Sequence, residues 1–297
     1  MRTATELDSF GGSDDLTSTL MQKNGRAPLF GISTRKRKPR KSGLTQVLDK
    51  GMSIAEIESM CEVAADYVDI VKFGWATSMV VQNLDAKLEA FRRHNIDVCC
   101  GGSLFELAVI KKQIPEYVAF LKDHGFEHVE VSDGVIELSR SEKLKYIERL
   151  ARHFTVFSEV GRKDRTNVVA PARWVKDIKE ELGAGSWKVI CEGRESGTVG
   201  IYQGTGEVKA GLIQEIEAQI DPSRVMFEAP QKHQQVWLVK HFGPNINLGN
   251  VPPRDVISVE TIRQGLRADT LLLMHAPHPA AEPTRRRQTS SRAHSRH

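Results

Sequence analysis

Eight short runs of β-branched and apolar residues recur along the chain, each followed by a stretch of helical period. That alternation restricts the fold to repeated βα units around a parallel sheet. The runs are LTQVLD at 44–49, VDIVKFG at 68–74, IDVCCGG at 96–102, HVEVSDG at 128–134, TVFSEVG at 155–161, WKVICEG at 187–193, RVMFEAP at 224–230 and NINLGN at 245–250. Between them, Ser53 and Glu56 form a capping-box pattern that opens IAEIESMCEVAADY. In APARWVKDIKEELG, Trp174, Ile178 and Leu182 fall on one helical face, and Gly183 stands where the helix should stop. Ser258 is expected to cap VETIRQGLR, and further helices are expected at about 104–124, 141–152, 209–220 and 231–242. Eight such units over residues 39–276 predict a single-domain, closed (β/α)8 TIM barrel. An open doubly wound sheet is the weaker alternative, because no GxGxxG follows the first run and no linker divides the units.

Charge is distributed unevenly over this framework. The net charge is +4, yet residues 1–43 carry nine Lys/Arg against four Asp/Glu and residues 277–297 carry five against one, leaving the barrel segment mildly acidic. A phosphate-backbone groove on the folded body is therefore not expected, and nucleic acid is an unlikely partner. The segments 1–38 and 277–297 are expected to be flexible tails, with RKRKPRK at 35–41 a solvated arm or, alternatively, a contact for an acidic partner. No apolar run approaches the roughly 18 residues of a membrane span, and the first residues lack a secretory pattern, so a cytoplasmic protein without membrane attachment is expected. Cys61, Cys99, Cys100 and Cys191 show no CxxC spacing and read as reduced core thiols; a reactive thiol at Cys191, next to Glu192, is the alternative. Barrels of this size commonly associate, so a homo-oligomer is expected.

In a (β/α)8 barrel the chemistry sits at the carboxyl ends of the strands. Those ends are polar here: Asp49 and Lys50, Lys72, Ser132 and Asp133, Glu159, Glu192 with Arg194 and Glu195, Glu228, and Asn247 with Asn250. FSEVG, ICEGR and FEAP place a glutamate at the end of three successive strands. Carboxylates converging at one mouth repel unless a cation lies between them, and an oxygen-seeking divalent ion such as Mg²⁺ suits the position. A structural ion network with Lys50, Lys72 or Arg194 is the plainer reading. Lys163, just beyond Glu159 in EVGRKD, could deliver a proton to a bound substrate, and the Gly turn of NLGNV could hold a phosphate. Zinc chemistry finds no paired histidines, and neither GxSxG nor a P-loop occurs.

The strings PRKSGLTQVLDKG, VDIVKFGWATS, GGSLFE, VSDG, SEVGRKD, EGRESG, MFEAPQKHQQVW and NINLGNVPPRDVISVETIRQGLRADT, taken in order, resemble the phosphosulfolactate synthases over residues 39–273. Ala76 stands where that family usually has glycine. The resemblance implies Mg²⁺-dependent addition of sulfite to C3 of phosphoenolpyruvate, the step that opens the sulfite branch of coenzyme M biosynthesis. It implies Glu159, Glu192 and Glu228 as metal ligands or ligand-orienting groups, with Asp133 nearby, and Lys163 as the acid that protonates C2. Lys50, Lys72, Arg194, Asn247 and Asn250 would then receive the anionic substrates.

Two rivals remain at this level. One is a Schiff-base aldolase using Lys72, and the other is a non-enzymatic barrel like the heat-stress-associated plant relatives, acting through its basic tails. If the barrel is the enzyme, removing residues 1–38 and 277–297 should leave turnover near normal in a steady-state assay. Loss of function on that truncation is the outcome expected of the non-enzymatic rival.

Overall fold

The computed structural model describes residues 35–161 and 170–276. Eight parallel strands, β1 (Thr45–Asp49), β2 (Ile70–Phe73), β3 (Asp97–Cys100), β4 (His128–Val131), β5 (Thr155–Val160), β6 (Lys188–Cys191), β7 (Val225–Glu228) and β8 (Leu248–Val251), follow one another around a closed barrel. β1 pairs with β8, so no edge is left open. Around them run α1 (Ile54–Ala64), α2 (Leu84–Arg93), α3 (Gly102–Lys111), α4 (Ile114–Asp123) and α5 (Arg140–Ala151). α6 (Pro171–Gly183), α7 (Ala210–Gln219), α8 (Lys232–Phe242), α9 (Val256–Arg263) and α10 (Ala268–His275) complete the ring. None of the described helices is long and apolar enough to cross a membrane.

Strand alternation divides the core in two. Outward residues such as Val71, Phe73, Val129, Val189 and Phe227 pack with the helices, whereas Ile70, Cys99, Phe157, Ile190 and Met226 meet Leu44 inside the barrel. The capping box at α1 forms as expected: the Glu56 amide donates to Ser53 Oγ at 3.3 Å, and the Ser53 amide to Glu56 Oε2 at 2.8 Å. All four cysteines are buried and unpaired, and burial raises the Cys191 thiol well above its ordinary range, which leaves it no nucleophilic role.

Three expectations are corrected here. The stretch 104–124 is two helices, because Lys112 turns left-handed at φ 57° and separates α3 from α4. Ser258 lies inside α9, which starts at Val256, rather than capping it. α2 was not anticipated, although Leu84, Leu88 and Phe91 carry its buried face at helical spacing.

The basic segment 35–41 is not a solvated arm. Arg35 pairs with Glu260 at 2.7 Å and Arg40 with Asp69 at 2.8 Å, in both cases with nearly buried side chains. Lys38 Nζ donates to the carbonyls of Ala65, Val68 and Asn95. These groups belong to the amino end of the barrel, so the segment straps that end shut, and a truncation that tests the tails has to keep residues 35–38. Unfolding would return three hydrogen-bonded cations to water, but breaking one partner leaves the others uncompensated. Asp69 also accepts from the buried Thr45 amide at 2.9 Å. Asp69→Ala should therefore cost about 3 kcal/mol or more, measured by urea unfolding, and a change below about 1 kcal/mol would refute the strap as a stabilising element.

Candidate active site

Period-2 geometry builds the site directly above the inner apolar layer. Two residues after Ile70, Phe157, Ile190 and Met226 come Lys72, Glu159, Glu192 and Glu228, all on the inward face at the carboxyl ends of their strands. Glu130, two residues beyond His128, joins them from β4. These five residues line a cavity of about 300 Å³ together with Leu48, Trp75, Val135, Arg194, Glu195 and Asn250.

Lys72 occupies the centre. Its Nζ lies 3.1 Å from Glu130 Oε1, 3.1 Å from Glu228 Oε1 and 3.9 Å from Glu159 Oε1. Burial acts against its charge, but the three carboxylates outweigh burial and hold its pKa well above the ordinary lysine value. The outer oxygens of two glutamates face backbone donors: Gly102 N–H to Glu130 Oε2 at 3.1 Å, and Gly193 and Arg194 N–H to Glu228 Oε2 at 2.8 Å each. The amide of Arg194 also reaches Glu192 Oε1 at 2.9 Å. At residue 102 only glycine fits, since a Cβ would stand 2.5 Å from that of Ser132. For Glu130, burial is the chief force pushing its carboxyl up to about 8; Lys72 opposes it while Glu159 and Glu228 reinforce it.

The rim is conformationally demanding. Trp75, Ala76, Arg194 and Asn250 all take left-handed backbone, with φ between 52° and 57°. At Ala76 this is a backbone conformation that glycine would adopt at lower cost. Asn250 is buried, and its Oδ1 has no hydrogen-bond partner among the described residues, which leaves an acceptor beside the cavity. Lys50 is exposed, with its ammonium 5.3 Å from the centre of the Trp75 ring.

The sequence-chosen residues thus divide. Lys72, Glu159, Glu192, Glu228, Arg194 and Asn250 come together around one cavity, with Lys50 over the Trp75 ring that helps to line it. Asn247 does not: its side chain accepts from Leu44 N–H at 3.1 Å and donates to the carbonyls of Val225 and Ser223, tying strand starts at the opposite end of the barrel. Asp133 is not in the cavity wall either, because it is turned to Lys143 at 2.7 Å. Lys163 lies outside the described residues. Glu130 was missed, since only the last residues of HVEVSDG were read as functional; its signal was a charge between two valines of a buried strand. Lys72, as a protonated ammonium clasped by carboxylates, is unsuited to the Schiff-base reading, which needs a free amine.

A family model for (2R)-phospho-3-sulfolactate synthase matches residues 33–269. The chain is 40% identical to "Phosphosulfolactate synthase" of Methanothermobacter thermautotrophicus over 243 residues, covering 80% of this chain and 94% of that protein. It is 38% identical to the protein of the same name from Bacillus subtilis over 245 residues, covering 82% and 97%. "Protein HEAT-STRESS-ASSOCIATED 32" of Arabidopsis thaliana is more distant, at 23% over 258 residues, covering 77% and 88%.

The raised Glu130 value has a direct consequence for stability. A carboxyl that binds its proton more tightly when folded contributes stability that is complete below its ordinary value of 4.5 and lost as pH rises through about 8. In EDTA, the melting temperature of Glu130→Gln relative to the unsubstituted protein should therefore climb between pH 5 and pH 8. A difference that stays level across that window would contradict the assignment.

Proposed function

The chain belongs to the (2R)-phospho-3-sulfolactate synthase family and is an enzyme of that type, and from that premise we propose that it adds sulfite to C3 of phosphoenolpyruvate with Mg²⁺ as cofactor. The observation that carries this reading is the layer of four glutamates around Lys72 at the barrel mouth, beneath a rim bearing Arg194, Asn250 and Lys50. The sulfur lone pair forms the C–S bond, the C=C π pair moves through C2 into the substrate carboxylate, and a proton delivered to C2 completes phosphosulfolactate. The product would serve sulfonate synthesis of the coenzyme M kind.

The donor set bears on the metal. Among the described residues no three Asp, Glu, His or Cys side chains gather into a cage. Mg²⁺ seldom needs one, since it is commonly held by one or two carboxylates and completes its shell with water and substrate oxygens. Glu159 and Glu192, at the ends of the adjacent strands β5 and β6 and both lining the cavity, are the pair that would meet that requirement. When bound, Mg²⁺ would supply positive charge opposite the carboxylate on which electron density accumulates.

The remaining work falls to protein groups. Arg194 and Lys50 would neutralise phosphate and sulfite at the rim, and Asn250 would orient the substrate by donating from its amide nitrogen to a substrate oxygen. Lys163, four residues after Glu159, would protonate C2. Lys72 would hold the carboxylate layer together rather than react. Small anionic molecules are accordingly the partners of this face.

Phosphorus NMR of the purified protein with phosphoenolpyruvate, sulfite and Mg²⁺ should show a new sulfonated phosphate ester. Glu159→Gln should slow its formation by about 10- to 100-fold, Lys163→Ala should slow it as well, and borohydride should trap nothing on Lys72. Protein that leaves phosphoenolpyruvate and sulfite unchanged would remove the reading.

A further inference from the structure

Outside the cavity, Lys143 is a buried cation whose bonds converge on the strand ends next to the site. It sits on the first turn of α5, its side chain 2% exposed, and its ammonium has three partners: the backbone oxygen of Glu159 at 2.5 Å, Asp133 Oδ1 at 2.7 Å and Glu181 Oε1 at 2.9 Å. Glu181, on α6, is itself fully buried. Burial opposes the charge on Lys143, but Glu181 and Asp133 more than compensate and keep it protonated.

The place of the Glu159 contact is informative. The β4–β5 ladder ends with Val131 opposite Ser158, so the Glu159 carbonyl lies one residue beyond the last paired position. There β4 turns away into the loop that carries Asp133, and the next ladder donor is lost. Lys143 supplies a donor at that point and grips the departing loop with the same ammonium. Joining α5 to α6 does not require this lysine, because Arg140 already bonds both Glu180 and Glu181. Burying a second cation is costly unless its bonds are needed, and the bonds that Arg140 does not duplicate are those to the ends of β4 and β5.

We infer that Lys143 is a positioning residue for the proposed chemistry: it fixes the carboxyl end of β5 so that the Glu159 carboxylate faces the cavity. This rests on the sulfite-addition reading for its catalytic consequence, but not for its structural one. A carboxylate whose backbone drifts by about 1 Å can lose of the order of a hundredfold in rate, so the effect should appear in kcat more than in substrate binding.

The test compares Lys143→Arg, Glu181→Gln and the double variant Lys143→Met/Glu181→Gln, which avoids stranding the Glu181 carboxylate if the lysine is removed alone. Each is measured for cooperative melting, for kcat and KM with phosphoenolpyruvate, for Mn²⁺ affinity by electron paramagnetic resonance, and for deuterium exchange at the 155–160 amides. The double variant should fold, lose about 10- to 100-fold in kcat and in Mn²⁺ affinity, leave KM nearly unchanged, and exchange faster at 155–160 than Glu181→Gln does. Lys143→Arg should recover part of the loss. A folded double variant with the kcat, Mn²⁺ affinity and exchange of Glu181→Gln overturns the inference. If the unsubstituted protein makes no sulfonated product, the sulfite reading fails, and the exchange comparison then decides Lys143 by itself: faster exchange supports it, equal exchange overturns it.

Discussion

One ammonium among carboxylates sets the conditions for everything at the mouth of this barrel. A closed eight-stranded barrel must fill its own interior, and side chains in successive inward layers do so. Here the lower layer is apolar and the next is ionic. Placing Glu130, Glu159, Glu192 and Glu228 at one level would be prohibitive without compensation, because like charges in a poorly solvated space raise one another's free energy steeply. Lys72 lies within 4 Å of three of them, backbone amides at two strand ends donate to Glu130, Glu192 and Glu228, and Glu130 takes up a proton more readily than an ordinary glutamate. The cluster is therefore electrically poised: it tolerates its own charge and still presents oxygen donors to whatever enters.

That arrangement assigns different work to the two ends of the molecule. At the amino end, Asn247, Arg263, Lys38 and Lys188 all spend their donors on main-chain carbonyls. Arg35 and Arg40 are locked into ion pairs there as well. These groups close the barrel at that end. At the carboxyl end, the residues with left-handed backbone, Trp75, Ala76, Arg194 and Asn250, gather around the cavity. Strain that a rim tolerates only because the barrel beneath it is rigid belongs to the side that handles substrate. The basic charge of residues 35–41 thus contributes to fold closure.

Buried cations outside the mouth extend the same logic outward. Lys87 holds Asp49 at 2.7 Å beside the end of β1, and Lys143 holds the ends of β4 and β5. In each case a helix lends a lysine to a strand terminus where the hydrogen-bonded ladder gives out. Such contacts convert the stiffness of the helical ring into fixed directions for the side chains at the mouth.

Much of the fold was legible locally. Eight β-branched runs separated by helical periods point to a parallel sheet, and strand alternation alone places Lys72, Glu159, Glu192 and Glu228 on the inward face, because side-chain direction in a strand depends only on residue parity. The family strings, being contiguous, were equally readable. What the sequence could not decide were the roles that depend on which partner arrives through space. Asn247 and Asn250 are three residues apart in one strand segment, yet one ties strand starts together and the other lines the cavity, because they emerge at opposite ends of the barrel. Asp133 looked like a ligand until α5 brought Lys143 to it, and the arginines of residues 35–41 looked solvated until Glu260, 225 residues away from Arg35, came to meet them. Periodicity is a property of neighbours along the chain, whereas the pairing of a charge is a property of neighbours across it, and only the closed barrel determines those.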